Sequence, residues 1–225
     1  MKTVFIEARA DVKVNIPKSC LPRLPEGICL ATTVQFISQI KEIKRFLEDN
    51  GKKVSFFEGA NAKYSGQVLG CSFANLKPVS CDAFLFVGDG KFHPIALAFS
   101  SDRPVFYFNP YTKVLSQVAS AEIAKIRGRV KAGLAKFYSS TDIGVLVSLK
   151  QGQFKPISKL LELKKKFPEK NFYFLLFDEI DFSQLENFSF VECFINAACP
   201  RIGLDDSIRL PRPVINLCEL SVSGC

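Results

Sequence analysis

Apolar runs and amphipathic stretches alternate along the whole chain, and this alternation predicts an ordered series of strands and helices. In the first half, four runs are almost continuously apolar, which is typical of strands covered on both faces of a parallel sheet. These runs are residues 27–34, 52–57, 81–90 and 103–109. Between the first two, residues 35–51 carry apolar side chains at helical spacing, and Gly51 marks the predicted end of that helix.

The second half repeats this order after a long helical pattern at residues 119–140. Four further strands are predicted, at residues 142–150, 171–179, 190–199 and 212–220. A helix at residues 156–167 separates the first two of them. Strands that alternate with helices are typical of parallel sheets. The sequence therefore predicts an α/β fold of two similar domains, residues 1–118 and 119–225, each a mainly parallel sheet flanked by helices.

Length and composition are those of a globular protein. The 225 residues suffice for two domains, and 48% hydrophobic against 23% charged residues excludes a disordered chain. The net charge of +8 favours acidic partners. The dense lysine run at residues 164–166 falls on a predicted helix flank, where a solvated helix face explains it better than a nucleic-acid site. We therefore expect no direct binding of nucleic acid.

The N-terminal residues 1–14 are interrupted by charge and contain no signal-peptide core, and no apolar run reaches the roughly 18 residues of a membrane span. These features predict a cytoplasmic protein that does not enter a membrane. The cytoplasm keeps thiols reduced, so the eight cysteines predict no disulfide framework. No C-x-x-C pair is present and His93 is the one histidine, so a metal site would need ligands from distant parts of the chain.

Six of the eight cysteines are interpreted as structural or incidental, either because they lie inside apolar strands or because they lack a flexible glycine or charged neighbour of the kind that Cys71 and Cys199 have. They are Cys20, Cys29, Cys81, Cys193, Cys218 and Cys225. Cys199 differs from them because it stands where a predicted strand ends, with Pro200 interrupting the strand and Arg201 adding a fixed charge. Gly203 then allows a turn. Open α/β sheets bind their ligands at this end of a strand.

Three other stretches also follow predicted strands. Cys71 comes directly after Gly70, the pair Gly88 and Gly90 would let the backbone approach a ligand closely, and residues 150–153 end the first strand of the second half. In parallel sheets these stretches would gather at the carboxyl edges. Together with Cys199 they predict a shared ligand crevice.

Several of these stretches carry a resemblance to a known family. The motifs GQVLGC at residues 66–71 and ACPRIG at residues 198–203, with GDGKFHP at residues 88–94 between them, occur in this order. The chain resembles, over residues 26–220, the archaeal diphthamide synthase that modifies translation elongation factor 2.

The resemblance implies a radical enzyme. Members of that family bind a [4Fe–4S] cluster through three cysteines, one from each of three similar α/β domains, and S-adenosylmethionine engages the open iron. A 3-amino-3-carboxypropyl radical adds to a histidine ring carbon of elongation factor 2, and the family forms homodimers. Cys71 and Cys199 match the cysteines of the middle and last domains. They are expected to face one cavity between the two domains of this chain.

The strand-end positions also nominate residues that bind the substrate. Lys150, Gln153 and Arg201 are expected to meet the carboxylate of S-adenosylmethionine, because charge-assisted hydrogen bonds to carboxylates are strong. Gly88 and Gly90 are expected to line the same cavity. His93 precedes a proline where a helix begins, and a structural role suits it as well as a functional one.

The family's first domain has no counterpart here, because too few residues precede Gly27. Three explanations stay open: a separate chain supplies that domain, the sequence is a fragment, or the protein has lost the cluster and kept a binding role. The initial methionine and a predicted strand at residues 2–8 favour a natural start. A second departure is Cys218, which lies where the family has a proline-containing turn. The competing functions are therefore a subunit of the radical enzyme and a cluster-free α/β binding protein.

Overall fold

The computed structural model describes residues 4, 6–59, 62–70, 80–204 and 206–220. The chain divides into two compact units, Met1–Ile123 and Ala124–Cys225. Each unit has its own sheet and its own buried core. In the described parts of the chain, no helix combines the length and the apolar character needed to cross a membrane.

The first unit contains a five-stranded sheet. Its strands are β1 (Gly27–Thr32), β2 (Lys53–Phe56), β3 (Ala83–Val87), β4 (Val105–Asn109) and β5 (Val114–Gln117), and its helices are α1 (Ile40–Asp49) and α2 (Phe92–Ser100). The strand order is β2-β1-β3-β4-β5. The pairs from β2 to β4 are parallel, and β5 adds to β4 in the antiparallel direction.

The second unit contains a four-stranded, fully parallel sheet in the order β7-β6-β8-β9. Its strands are β6 (Asp142–Ser148), β7 (Asn171–Phe177), β8 (Cys193–Asn196) and β9 (Val214–Asn216), and its helices are α3 (Ser120–Ser139), α4 (Ile157–Leu160), α5 (Glu162–Lys166) and α6 (Arg201–Leu204). Both sheets place their first four strands in the order second, first, third, fourth. The predicted fold class, mainly parallel α/β sheets flanked by helices, is confirmed.

Continuous apolar runs form these central strands because both faces of each sheet are covered. In the second unit, side chains two residues apart share a face, and the two alternating sets enter two separate core clusters. One cluster joins Ile143, Val145 and Ile195 to Phe137, Leu160 and Leu163 of the helices. The other joins Leu146, Phe194 and Val214 to Leu185 and Ile202. This burial on both faces explains why the strand pattern lacks polar alternation.

Several predicted element boundaries were wrong. The predicted strands 190–199 and 212–220 are only four and three residues long, Cys193–Asn196 and Val214–Asn216, because the chain turns into loops and short helices at the sheet edge. The predicted helix 156–167 is two short helices. Strand β5 was not predicted, and the described residues of the predicted N-terminal strand, 4 and 6–8, have no regular structure.

The predicted helix end at Gly51 is confirmed. Helix α1 ends at Asp49, and Gly51 has a φ of +80°, a backbone conformation that glycine adopts without steric cost.

Candidate functional site at the carboxyl edges of the two sheets

The carboxyl edge of the first sheet is organised around Thr32, the last residue of β1. Its hydroxyl donates to the Val87 carbonyl oxygen at 2.6 Å, which ties the end of β1 to the end of β3. Its backbone bonds to Gly66 and Val68 at 2.8 and 2.7 Å, so residues 66–68 extend the sheet beyond the end of β2. The first part of the GQVLGC motif is therefore anchored to the carboxyl end of β1.

Gly70 continues this anchored segment toward α2. A Cβ atom at Gly70 would lie 3.0 Å from a ring carbon of Phe92, the first residue of α2, so glycine permits this close approach. Cys71, the predicted cluster ligand that follows Gly70, lies outside the described residues. Its predicted role therefore stays a prediction.

The loop after β3 contains the predicted residues Gly88, Gly90 and His93. Gly88 is buried, and a Cβ atom there would lie 2.8 Å from the Phe86 ring. That ring stacks on His93 with centroids 5.5 Å apart and an interplanar angle of 15°. Gly90 has a φ of +77°, a left-handed backbone conformation that glycine adopts without steric cost. Gly88 thus makes room for the aromatic ring against which half-buried His93, the second residue of α2, is held.

A polar contact holds the same loop to the end of β4. The Asn109 side-chain amide donates to the Asp89 carboxylate at 3.0 Å, and this carboxylate also accepts from the Gly90 backbone at 2.8 Å. Asn109 Oδ1 accepts from the backbone of Tyr111 at 2.9 Å. The Asn109 amide and the Asp89 carboxylate both lie near solvent.

In the second unit, Lys150 and Gln153 form an exposed turn after β6. The backbone of Gln153 donates to the Lys150 carbonyl oxygen at 3.0 Å, and Gly152 takes a φ of +86° to close the turn. The Lys150 ammonium group lies 3.7 Å from Glu179, an exposed pair that contributes little to stability. The Lys150 side chain is therefore able to reorient toward another anion.

Cys199 follows β8 and is held by two buried asparagines. The Asn196 amide donates to the Cys199 carbonyl oxygen at 2.8 Å and to Asn216 Oδ1 at 2.7 Å. The Asn216 amide in turn donates to the Pro200 carbonyl oxygen at 3.2 Å. Asn196 and Asn216, 2% and 4% exposed, end the neighbouring strands β8 and β9. This arrangement, which we call the asparagine clamp, fixes the backbone that presents the half-buried Cys199 thiol.

Arg201 and Gly203 follow in the short helix α6. Arg201 is exposed, and its Nε lies 3.9 Å from the Asp206 carboxylate. A Cβ atom at Gly203 would lie 2.4 Å from Asn216 Oδ1. Gly203 lies in this single helical turn, where its backbone N–H donates to the Pro200 carbonyl oxygen at 3.2 Å, and glycine is needed because the asparagine clamp passes directly against it.

The remaining described cysteines differ from Cys199 in exposure. Cys20, Cys29, Cys81 and Cys193 are buried, whereas Cys199 and Cys218 are half-buried. Burial in the sheet raises the pKa of Cys193 to about 12, which makes it a poor thiolate. Within the described ranges, no three histidine, cysteine or acidic side chains converge on a metal site.

The asparagine clamp was not predicted from the sequence. Asn196 and Asn216 each stand at the end of an apolar run, and a polar residue in a run that reads as buried needs a hydrogen-bonding partner. That signal could have singled out both residues. It could not have paired them, because they are twenty positions apart and meet only through the adjacency of β8 and β9.

Known proteins resemble this chain over almost its whole length. The family described as "Putative diphthamide synthesis protein" matches residues 1–224. The chain belongs to this family. It is 34% identical over 229 residues to the 2-(3-amino-3-carboxypropyl)histidine synthase of Pyrococcus horikoshii, covering 98% of this chain and 65% of that protein. The enzyme of the same name from Methanocaldococcus jannaschii is 34% identical, with 95% and 59% covered.

A fungal relative, subunit 1 of the 2-(3-amino-3-carboxypropyl)histidine synthase of Schizosaccharomyces pombe, is 28% identical, with 98% of this chain and 52% of that protein covered. The chain therefore spans between about half and two thirds of the length of these three relatives. The predicted resemblance to the diphthamide synthase family is confirmed.

Solved structures agree with this family assignment. Dph2 from Pyrococcus horikoshii with a 4Fe–4S cluster matches with a TM-score of 0.74 and 31% identity, over 91% of this chain and 58% of that one. A second structure of the same protein matches with a TM-score of 0.78 and 30% identity, over 93% and 62%. The first of these two Dph2 structures contains a 4Fe–4S cluster.

Proposed function

We propose that this chain is part of a 2-(3-amino-3-carboxypropyl)histidine synthase that acts on translation elongation factor 2 in the cytoplasm. The reaction transfers the 3-amino-3-carboxypropyl group of S-adenosylmethionine to a histidine ring carbon by a radical route. The observation that carries the proposal is the Cys199 thiol, held at the carboxyl edge of the second sheet by the asparagine clamp. The family match over residues 1–224 supplies the reaction class.

Cys199 and Cys71 are the proposed thiolate ligands of a [4Fe–4S] cluster. When bound, such a cluster supplies the electron for radical chemistry. The asparagine clamp serves this role by keeping the Cys199 backbone in one position, because a ligand that needs no reorganisation binds metal more tightly. Gly88 and Gly90 in the loop after β3, and His93, which stacks on Phe86 next to that loop, are the residues of the first unit that we propose to contact the cofactor.

Recognition of the substrate carboxylate is assigned to Lys150, Gln153 and Arg201. All three are exposed and lie at the carboxyl edge of the second sheet, directly after β6 or after the Cys199 loop. Lys150 and Arg201 supply positive charge, and Gln153 supplies an amide donor. A carboxylate held by these donors would bring the methionine part of S-adenosylmethionine to the edge where Cys199 lies.

Two thiolates hold a four-iron cluster poorly, so we propose that a separate polypeptide contributes the third ligand and covers the site, in a homo- or hetero-oligomer. The name of the fungal relative, subunit 1, is consistent with a synthase of more than one chain. Around the turn of Lys150 and Gln153, Leu149, Phe154 and Leu176 are 44%, 48% and 46% exposed. Exposed apolar side chains in one area are typical of a surface that a partner covers.

Anaerobic reconstitution tests this proposal. The chain is loaded with iron and sulfide, then mixed with a reductant, S-adenosylmethionine and elongation factor 2, with and without a candidate partner chain. Transfer of the aminocarboxypropyl group, followed by mass spectrometry of elongation factor 2, should require both chains. Cys199→Ala and Cys71→Ala should each abolish transfer and reduce the iron content.

Cys218→Ser is the matched control, because Cys218 is also half-buried and follows the neighbouring strand β9. It should retain both iron and activity. Full activity of the chain alone would contradict the need for a partner, and activity that survives Cys199→Ala would contradict the ligand assignment. A protein that stays colourless with every partner but still binds elongation factor 2 would favour the cluster-free binding protein.

A further inference from the structure

Two cysteines meet at the amino edge of the first sheet, where its strands begin. Cys29 lies in β1 and is 0% exposed, and Cys81 lies two residues before β3 and is 8% exposed. Strands β1 and β3 are neighbours, and the backbone N–H of Asp82, which follows Cys81, donates to the Gly27 carbonyl oxygen at 2.9 Å. This contact brings Cys81 alongside the first residues of β1, where the Cys29 and Cys81 side chains interact. Ser55 of β2 lies level with Cys29 in the sheet, and its hydroxyl donates to the Ile28 carbonyl oxygen at 3.5 Å. The family resemblance assigns no role to either cysteine.

Cys81 also borders a cleft of about 530 Å³ at this edge. The cleft is lined by Glu26, Lys53, Ser55, Cys81, Asp82 and Arg103, among others. Except for Ser55, which lies inside β2, these residues lie at or before the starts of strands, whereas Thr32 ends β1 and Gly88 follows β3 at the opposite edge of the same sheet. The cysteine pair is therefore separate from the carboxyl-edge site, and small solutes can reach it from solvent.

The surroundings give the two thiols different roles: Cys29 stays protonated, and Cys81 forms the thiolate. Hydrogen bonds from the side chain and backbone of Cys29, together with the positive charge of Arg103, lower the pKa of Cys81 to about 7. The hydrogen bond to Cys81 and complete burial raise the pKa of Cys29. Asp82 opposes the shift at Cys81, and Lys53 is occupied by Glu26 at 2.7 Å. Cys81 is thus the nucleophile, and Cys29 is the protonated neighbour.

We propose that Cys29 and Cys81 are a reversible thiol–disulfide pair that reacts with hydroperoxides. The Cys81 thiolate attacks the peroxide, the O–O bond breaks, and Cys81 becomes a sulfenic acid while hydroxide leaves. The Cys29 sulfur then attacks the Cys81 sulfur, its proton passes to the departing hydroxyl group, and water leaves as the S–S bond forms. The peroxide is reduced by two electrons, the two thiols are oxidised by two electrons, and a dithiol reductant reverses the change.

The test treats the whole chain with about one equivalent of hydrogen peroxide, blocks the remaining thiols and maps cysteine peptides by mass spectrometry without reduction. The expected product is a Cys29–Cys81 cross-link, lighter by two hydrogens, that dithiothreitol reverses. Cys29→Ser should instead leave Cys81 as a sulfenic acid that dimedone traps. Absence of oxidation at Cys81, or a disulfide between Cys81 and any other cysteine, would overturn the proposal.

Reactivity toward methyl methanethiosulfonate provides a second measurement that needs no oxidation. Cys81 should react more than about tenfold faster than Cys193 at pH 7, since only Cys81 has an appreciable thiolate fraction there. Cys29→Ala should slow Cys81 about tenfold at this pH, because losing the thiol donor returns Cys81 toward an ordinary cysteine. Equal rates for Cys81 and Cys193 would contradict the assignment of Cys81 as the nucleophile. Neither measurement requires the cluster or transfer activity, so its outcome is independent of the proposed synthase function.

Discussion

The two sheets share one strand order but hold the loop after their third strand differently. In both units the last residue of the fourth strand is an asparagine, Asn109 or Asn216, whose amide donates to that loop. Asn109 reaches the Asp89 carboxylate near solvent, whereas Asn216 reaches the Pro200 backbone while 4% exposed. A hydrogen bond shielded from water restrains its loop more strongly. The asparagine that ends the fourth strand is therefore a buried restraint on its loop only in the second unit, which is the unit that contains Cys199.

The amino edges of the two sheets also have similar residues at equivalent positions. The residue before the second strand is a lysine in both units, and it donates to a carbonyl that precedes the first strand: Lys52 to Leu24 at 2.6 Å, and Lys170 to Ser140 at 2.6 Å. An acidic residue before the third strand accepts from the start of the first strand in both units. The internal repeat therefore includes polar contacts as well as strand order.

The largest difference between the units is expected at the two asparagines. Asn216→Ala should lower the free energy of unfolding of the second unit by about 2–4 kcal/mol, because the buried Asn196 amide loses its Asn216 acceptor and the Pro200 carbonyl oxygen loses one of its donors. Asn109→Ala should lower that of the first unit by less than about 1 kcal/mol, because water replaces its contacts. Hydrogen exchange with mass spectrometry resolves the two units separately. Equal losses would contradict the comparison.

The two lysines should give the next largest difference. Lys170, with its side chain 4% exposed, donates to Tyr138 and Ser140 at the C-terminal end of α3. Lys170→Met should cost about 2–3 kcal/mol because two buried carbonyl groups lose a charged donor, and Lys52→Met about 1 kcal/mol because Lys52 is half-buried and makes one such bond. Urea unfolding of each variant measures the effect. A larger loss at Lys52 would show that burial does not set the ranking.

Gly203→Ala tests whether the asparagine clamp is closely packed. The added methyl group would meet the Asn216 amide, so we expect a loss of about 1–3 kcal/mol. Gly128→Ala is the control, because Gly128 lies exposed in α3 with nothing within 4 Å of an added Cβ atom. That variant should gain about 0.5–1 kcal/mol from helix propensity. Thermal unfolding distinguishes the two, and a neutral Gly203→Ala would mean that the clamp yields easily.

The smallest effect concerns the acidic residue before the third strand of the second unit, and it depends on pH. Backbone N–H groups of Thr141 and Asp142 donate to Glu192 and hold its pKa below its ordinary value. Because the pKa is lowered on folding, the stabilisation is present above about pH 4.5 and is lost as the pH falls through the folded value. In Glu192→Gln, the free energy of unfolding should therefore fall less steeply as the pH is lowered below about 4.5.

Most of the fold could be predicted from the sequence because burial on both faces leaves a direct record in the chain. The run from Ile143 to Val147 is apolar without interruption, and it forms a central strand of the second sheet. Strand β5 and the break in the helix at residues 156–167 were missed. β5 is half-exposed and only four residues long, so its pattern is too weak to separate from a loop.

The sequence by itself determined the alternation of strands and helices, the internal repeat, the placement of Gly88, Lys150 and Cys199 after strands, and the family. These are local features, since each follows from side-chain pattern or motif order within a few residues. Only the tertiary structure decided that Asn196 contacts Asn216, that Asn216 leaves no room for a side chain at Gly203, and that Cys29 contacts Cys81. These contacts join residues far apart in the chain, and strand order and register bring them together only once each sheet has formed.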